Sequence, residues 1–149
     1  MKYIKKLSCK LLLALGVLIL SAIVWQVIVS KRVISDIKKI KQVQSIEQIP
    51  ELLKNGELKT YNATPCHPFS KIKPNGVDTY IFKDDKYEVY VSDYVKRNVE
   101  IVQNGDELLI NALSKEAFYT QTPVFIFMPE DPQSVHYAKP NNLQSKIVN

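Results

Sequence analysis

The sequence predicts a mainly β fold, with an N-terminal transmembrane helix and a helical stalk followed by a small, hairpin-rich β domain. Three observations carry that expectation. Leu11–Val29 is a 19-residue run without a charge. From Lys31 to Gln48 the apolar residues recur at helical spacing, and beyond Gly56 the period shortens to two. The 149 residues allow one domain and little more. Residues 1–44 hold nine Lys/Arg and one acid, Asp36; with a net charge of +5 for the whole chain, the 105 residues beyond carry −3. The basic balance belongs to the N-terminal segment, so nucleic acid is not an expected partner, because that reading needs a basic patch on the folded part. The expected organisation is a basic tail at 1–10, an anchor at 11–29, a stalk at 30–56 and a β-rich head at 57–149.

At the helical rise, Leu11–Val29 reaches roughly 28 Å, close to the hydrocarbon thickness of a bilayer. Lys2, Lys5, Lys6 and Lys10 precede it, and Trp25 lies near its far end, where an indole favours the interface. A cleaved signal peptide needs small residues after a short apolar run. Ala14-Leu15-Gly16 comes too early and nothing suitable stands near Ser30, so an uncleaved anchor in the lipid bilayer is expected. The cations on the two sides nearly balance. A short tail on a first helix usually stays in the cytoplasm, so the expected protein is a single-pass inner (cytoplasmic) membrane protein with its C-terminal head exported.

In the stalk, Val33, Ile37 and Ile40 fall on one face, flanked by Ile34 and Val43, with Lys31, Arg32, Lys38 and Lys39 opposite. A coiled-coil seam fails because Gln44 and Glu47 take the next positions. The stalk is therefore read as a helical continuation that spaces the head from the bilayer. Ser45-Ile46-Glu47-Gln48 has capping-box spacing, Pro50 is placed to open a short second helix, and Asn55-Gly56 to stop it.

In the head, short β-branched and aromatic runs recur: Val77–Phe82, Tyr87–Val91, Val99–Ile101 and Leu108–Ile110. Asn75-Gly76 and Asn104-Gly105 are two-residue hairpin signals, and Lys83-Asp84-Asp85-Lys86 is a third turn. Val124–Met128 is unbroken apolar sequence, which predicts a strand buried on both faces.

The order of Phe69-Ser70-Lys71-Ile72, Gly76-Val77-Asp78, Tyr87-Glu88-Val89, Val99-Glu100-Ile101, Gly105–Ile110 and Pro123–Pro129 resembles the opening of the auto-transporter adhesin head, the GIN domain family. The resemblance covers about Phe69 to Tyr137. It implies the start of a β-helix-like head in an exported, non-enzymatic module, and the open edge of such a coil makes a protein partner or self-association through β edges an expectation.

No catalytic, cofactor or metal residues are expected. Cys9 and Cys66 are the only cysteines and the proposed span separates them, which excludes an internal disulfide. Cys66-His67 with His136 is the one conceivable metal or nucleophile cluster, yet adjacent residues on extended chain point apart. Asp84-Asp85 and Asp106-Glu107 read as turn residues making local backbone bonds. Tyr80 and Tyr90 are the candidate interaction surface, set against the ordinary reading of cross-strand aromatics. The function expected is a membrane-anchored envelope protein whose head binds or assembles, its small-molecule ligand unknown. The alternative is a membrane-tethered regulator or accessory subunit with a cytoplasmic head contacting another membrane protein.

Overall fold

A single helix, α1 (Lys2–Gln42), begins the computed structural model, which describes residues 2–113, 122–131, 134–135 and 146–148, with side chains for 10–113 and 122–131. Its most apolar stretch has a mean hydropathy of 2.6 and no part of it is covered by the rest of the chain. It is long and apolar enough to cross a membrane. The helix stops at Gln42, and Ser45 starts a 3₁₀ turn at Ile46–Gln48 by accepting a hydrogen bond from the Glu47 N–H. Helix α2 (Ile49–Lys54) follows with Pro50 in its first turn, and Gly56 (φ +66°) lies just past its end.

The β-rich head begins at β1 (Tyr61–Pro65) and continues through β2 (Lys71–Asn75), β3 (Thr79–Lys83), β4 (Glu88–Ser92), β5 (Val99–Asn104), β6 (Glu107–Ala112), β7 (Val124–Met128), β8 (Ser134–Val135) and β9 (Lys146–Val148). Five strands form one sheet in the order β1-β4-β7-β3-β9, and four form another in the order β5-β6-β2-β8. β2 runs parallel to β6 and β8, and β3 runs parallel to β7 and β9. The pairs β6/β7, β2/β3 and β8/β9 are thus stacked rungs, each giving one strand to each sheet. On the β6/β7 side, β4 and β5 are antiparallel additions, and β1 lies outside β4.

Burial follows the sequence pattern. Every residue of β7 is buried, as expected for Val124–Met128. Val124, Ile126 and Met128 face the space between the sheets with Ile72, Ile81, Val89, Leu108 and Ile110. Phe125 and Phe127 face the other way, into a cluster with Ile49, Leu53, Leu58, Tyr61 and Phe82 beneath the helices.

One local expectation is corrected. Asn104-Gly105 does make a hairpin, joining antiparallel β5 and β6 with Gly105 at φ +61°. Asn75-Gly76 does not: it turns the chain from β2 in one sheet to β3 in the other, with Gly76 at φ +75°. A positive-φ dipeptide reports a sharp turn, and the tertiary context decides whether the strands beyond it pair. Lys83–Lys86 does turn the chain as expected, from β3 to β4, which run in opposite directions on either side of β7. Pro74 sits in β2, a strand with neighbours on both sides; among the described residues β8 pairs β2 at Lys71 and Ile72, and β6 pairs it along its whole length.

The stalk residues also pack on the head. Val33 is 5% exposed and Asp36 2%, while Ile40 and Val43 lie against the aromatic cluster. The helix enters the head within four residues of Val29.

Candidate binding groove

A groove of about 690 Å³ opens between the sheets along their edge strands β1 and β5. Val91, Val99, Ile101 and Leu108 give it an apolar floor, and Asn62, Thr64, Lys96 and Gln103 a polar rim. Register explains the opening. Asn62 and Thr64 stand opposite Val91 and Val89 of β4, so they share the inward face of the sheet. Being polar and exposed, they do not close over the core as an apolar pair would. Asn62 is turned to Asp93, donating from Nδ2 to Oδ2 at 2.7 Å.

The edge itself is short. The Cys66 N–H donates to the Tyr87 carbonyl at 2.9 Å. Paired and unpaired residues alternate along an antiparallel ladder, so the main-chain groups of Ala63 point to the open side. Pro65, without an N–H, ends that row. On the facing side, the Gln103 carboxamide accepts from the His67 N–H at 3.1 Å and donates to the carbonyls of His67 (3.0 Å), Pro68 (3.2 Å) and Gly105 (3.2 Å). One side chain thereby straps the loop after β1 onto β5.

Cys66 lines the groove as a half-buried free thiol whose S–H points to the Thr64 carbonyl at 3.6 Å. Burial pushes its pKa up, the reverse of an activated nucleophile. His136 lies outside the described residues. Among the described residues no group of three or more His, Cys, Asp or Glu is placed to hold a metal ion. The expectation of purely local bonds for the acidic pairs is corrected: Asp84 Oδ1 does accept from the Asp85 N–H at 2.7 Å, but Asp84 also pairs with Lys54 of α2, and Glu107 with Lys73 at 2.7 Å. Asp106 accepts from Ser70 and pairs with Lys71 at 3.0 Å, and the hydrogen bond from Lys71 holds its carboxyl below the usual range.

Tyr80 and Tyr90 stand away from the groove, on the helix-facing side of the five-stranded sheet. Tyr80 stacks on Phe125 with centroids 6.0 Å apart, and Tyr90 meets Phe127 edge-on at 5.2 Å. Both are half-buried against the aromatic cluster. Desolvation raises both phenols, aided by Asp78 at Tyr80 and by Glu88 at Tyr90.

The residue that sequence reasoning missed is Asp36, which there is only the lone acid among nine cations. Its carboxylate accepts from the Lys59 N–H (3.1 Å), the Thr60 N–H (2.7 Å) and the Thr60 hydroxyl (2.7 Å), and Ser92 donates to Thr60 at 2.9 Å. A buried carboxylate needs such partners. The signal that would have found it is an acid three residues after Val33, on the apolar side of an amphipathic helix.

No family model matches the chain, and no curated protein matches it. Solved structures do. A putative adhesin from Bacteroides fragilis is 10% identical, with a TM-score of 0.42 over 58% of this chain and 40% of its own. One from Parabacteroides merdae is 17% identical (TM-score 0.41, 52% of this chain and 34% of its own), and one from Parabacteroides distasonis is 18% identical (0.37, 52% and 39%). The chain spans about two fifths of the length of the first of these or less. It is similar to structures described as adhesins, and at such scores the likeness carries no functional weight of its own.

Proposed function

We propose that the chain is a single-pass membrane protein of the cell envelope whose exported β-rich head binds or assembles without catalysis. The observation that carries this reading is the apolar run Leu11–Ile28, uncovered by the rest of the chain and continuous with a helix fixed to the head at Asp36. The groove between β1 and β5 is its binding site. Its occupant is an extended polypeptide that adds to the open edge at Ala63 and lays apolar side chains over half-buried Ile101 at the groove floor. This edge is the antiparallel one, at the opposite side of the sheet from the coil strands β3 and β9.

A reporter active only outside the cytoplasm, fused after Asn149, tests the placement. Activity supports the exported head, and silence from an intact fusion supports the tethered cytoplasmic regulator, a reading favoured by the fixed helix–head joint. A photoreactive residue at Thr64 tests the groove in intact cells. The reading expects a discrete polypeptide adduct that Ala63→Pro abolishes. An adduct indifferent to Ala63→Pro, or equal labelling from Asp85, overturns strand addition.

A further inference from the structure

We propose that one end of the head docks directly on anionic lipid headgroups, through an exposed apolar pair ringed by basic residues; this rests on the reading of Leu11–Val29 as a membrane span. The argument starts from where α1 enters. Asp36 meets Thr60, Lys39 reaches the Glu57 carbonyl at 3.0 Å, and Ile40 and Val43 lie on the aromatic cluster. Lys54 of α2 pairs with Asp84, beyond the far end of β3. The helical segment therefore crosses the sheet from the end marked by Thr60 to the end marked by Asp84, and the apolar span projects past the Thr60 end.

That end is also where the chain changes sheets. Backbone hydrogen bonds stitch it together: Asp93 N–H to Thr60, Leu113 N–H to Asn98 and Val124 N–H to Asp78. Among the described residues outside α1, the large apolar side chains left exposed are Tyr94 (42%) and Leu113 (60%). Both belong to this end. Lys59, Lys96 and Arg97 are exposed beside them, and Lys31 and Arg32 of α1 stand at the membrane end of the joint. The nearby acids offset only part of this charge: Asp93 is exposed and accepts from the neutral Asn62 amide at 2.7 Å, while Asp78 is half-buried with its carboxyl pKa pushed up by desolvation.

The spacing leaves no room for a gap. Val33, already buried, is four residues beyond Val29, about 6 Å along a helix. The polar layer of a bilayer is roughly 5–8 Å deep on each side. The Thr60 end of the head therefore lies at headgroup level, and a tyrosine, a leucine and clustered Lys/Arg are the side chains suited to that layer. Leu113 and Tyr94 enter the interface, and the cations bind lipid phosphates.

The test uses the full chain with Cys9→Ser and Cys66→Ser, carrying a fluorophore at Leu113→Cys or, as the far-end reference, Asp85→Cys. Each is reconstituted into vesicles containing headgroup-spin-labelled lipid, with and without phosphatidylglycerol. The expected result is strong quenching at position 113, little at 85, and weaker quenching at 113 without phosphatidylglycerol. Lys96→Glu with Arg97→Glu should weaken the docked state about tenfold or more, since each basic residue near an anionic surface is worth about fivefold. Vesicle flotation reports the span separately. Protein that fails to float overturns the anchor reading. Protein that floats with equal quenching at 113 and 85 overturns the docking while leaving the anchor standing. Quenching at 113 that ignores both phosphatidylglycerol and the charge reversal overturns it too, because closeness alone would follow from the short tether.

Discussion

The five-stranded sheet has a core on each face, and the two are built from different side chains. Between the sheets the residues are mainly aliphatic: Ile72, Ile81, Val89, Val91, Leu108, Ile110, Val124, Ile126 and Met128, with one aromatic pair, Phe69 and Tyr87, meeting edge-on at 5.1 Å between centroids. Under the helices the sheet presents rings, Tyr61, Phe82, Phe125 and Phe127 with Tyr80 and Tyr90 at the margin, and these meet aliphatic Ile49, Leu53 and Leu58. Stacked sheets interdigitate short branched side chains over about 10 Å. The rings also bring polar ends, as when the Tyr61 hydroxyl, its pKa raised by burial and by Asp36, donates to the Pro123 carbonyl at 3.1 Å. The aliphatic core holds the head together, and the aromatic one holds the head to its helix.

Truncation on either side of β7 separates these roles. Phe127→Ala removes a ring that touches Phe82 at 5.3 Å and Tyr90 at 5.2 Å, and should cost about 3–5 kcal/mol. Ile126→Ala, on the aliphatic side, should cost about 2–5 kcal/mol. Urea unfolding of the full chain in detergent micelles gives both values. The sharper readout is limited trypsin digestion at Lys38–Lys41. Phe127→Ala should speed cleavage there beyond its global destabilisation, whereas Ile126→Ala should not. Equal acceleration in both would mean that the two faces behave as one cooperative core.

Asp36 tests the joint without touching the rings. Asp36→Ala strips acceptors from Lys59, Thr60 and the Thr60 hydroxyl, and should cost about 2–3 kcal/mol. Asp36→Asn keeps the shape and one acceptor oxygen, so its loss should be smaller. Spin labels at Ser30→Cys and Asp85→Cys, with Cys9 and Cys66 replaced by Ser, should give a narrow distance distribution in the parent and a broad one in Asp36→Ala. A narrow distribution in both would assign the joint to the rings alone.

Much of this architecture is legible in the residues, and the part that is not has a physical cause. The apolar helix, the Pro50 start, the Asn55-Gly56 stop and the doubly buried β7 follow from local chemistry. Parallel pairing does not: nothing in Lys71–Asn75 names Glu107–Asn111 as its neighbour, although Lys73 reaches Glu107 at 2.7 Å and Asn75 donates to Asn111 at 2.7 Å once they are aligned. β1 is hidden because Asn62 and Thr64 occupy its inward positions, and those same residues make the groove. Tyr80 and Tyr90 were legible as cross-strand aromatics, but which element would cover their face was not. The place of Asp36 on the apolar side of its helix was legible, but its partners were not, because they lie more than 20 residues away in the chain.

The turns give a smaller effect that tests the stacked rungs. Gly76 and Gly105 both have positive φ, but a Cβ at Gly76 would come within 3.3 Å of the Ala112 Cβ, while one at Gly105 meets nothing within 4 Å. Ala at either site costs the left-handed penalty of about 1–2 kcal/mol. Gly76→Ala should cost more, because the contact joins neighbouring rungs and the strand behind it cannot yield freely. Equal losses in thermal melts would show that the β2–β3 corner has slack.

The smallest effect lies where the aliphatic core runs out into the groove. Cys66 packs against that core yet lines the opening, and burial raises its pKa. The folded protein favours the protonated thiol, so the thiolate appears only at higher pH than in the unfolded chain. The stability linked to this group is present below the unfolded pKa and is lost as pH rises through the folded one. In a Cys9→Ser background, alkylation should be slower than for a free thiol near pH 8, and its pH–rate midpoint should fall into the ordinary cysteine range, about 8.5, once urea unfolds the head. A folded midpoint at or below that range would mean that Lys96 or His67 at the rim outweighs the apolar surroundings, and that the groove is electropositive rather than an extension of the core. A polypeptide seated in the groove over Ile101 would cover the same thiol, so the alkylation rate also reads occupancy of the site.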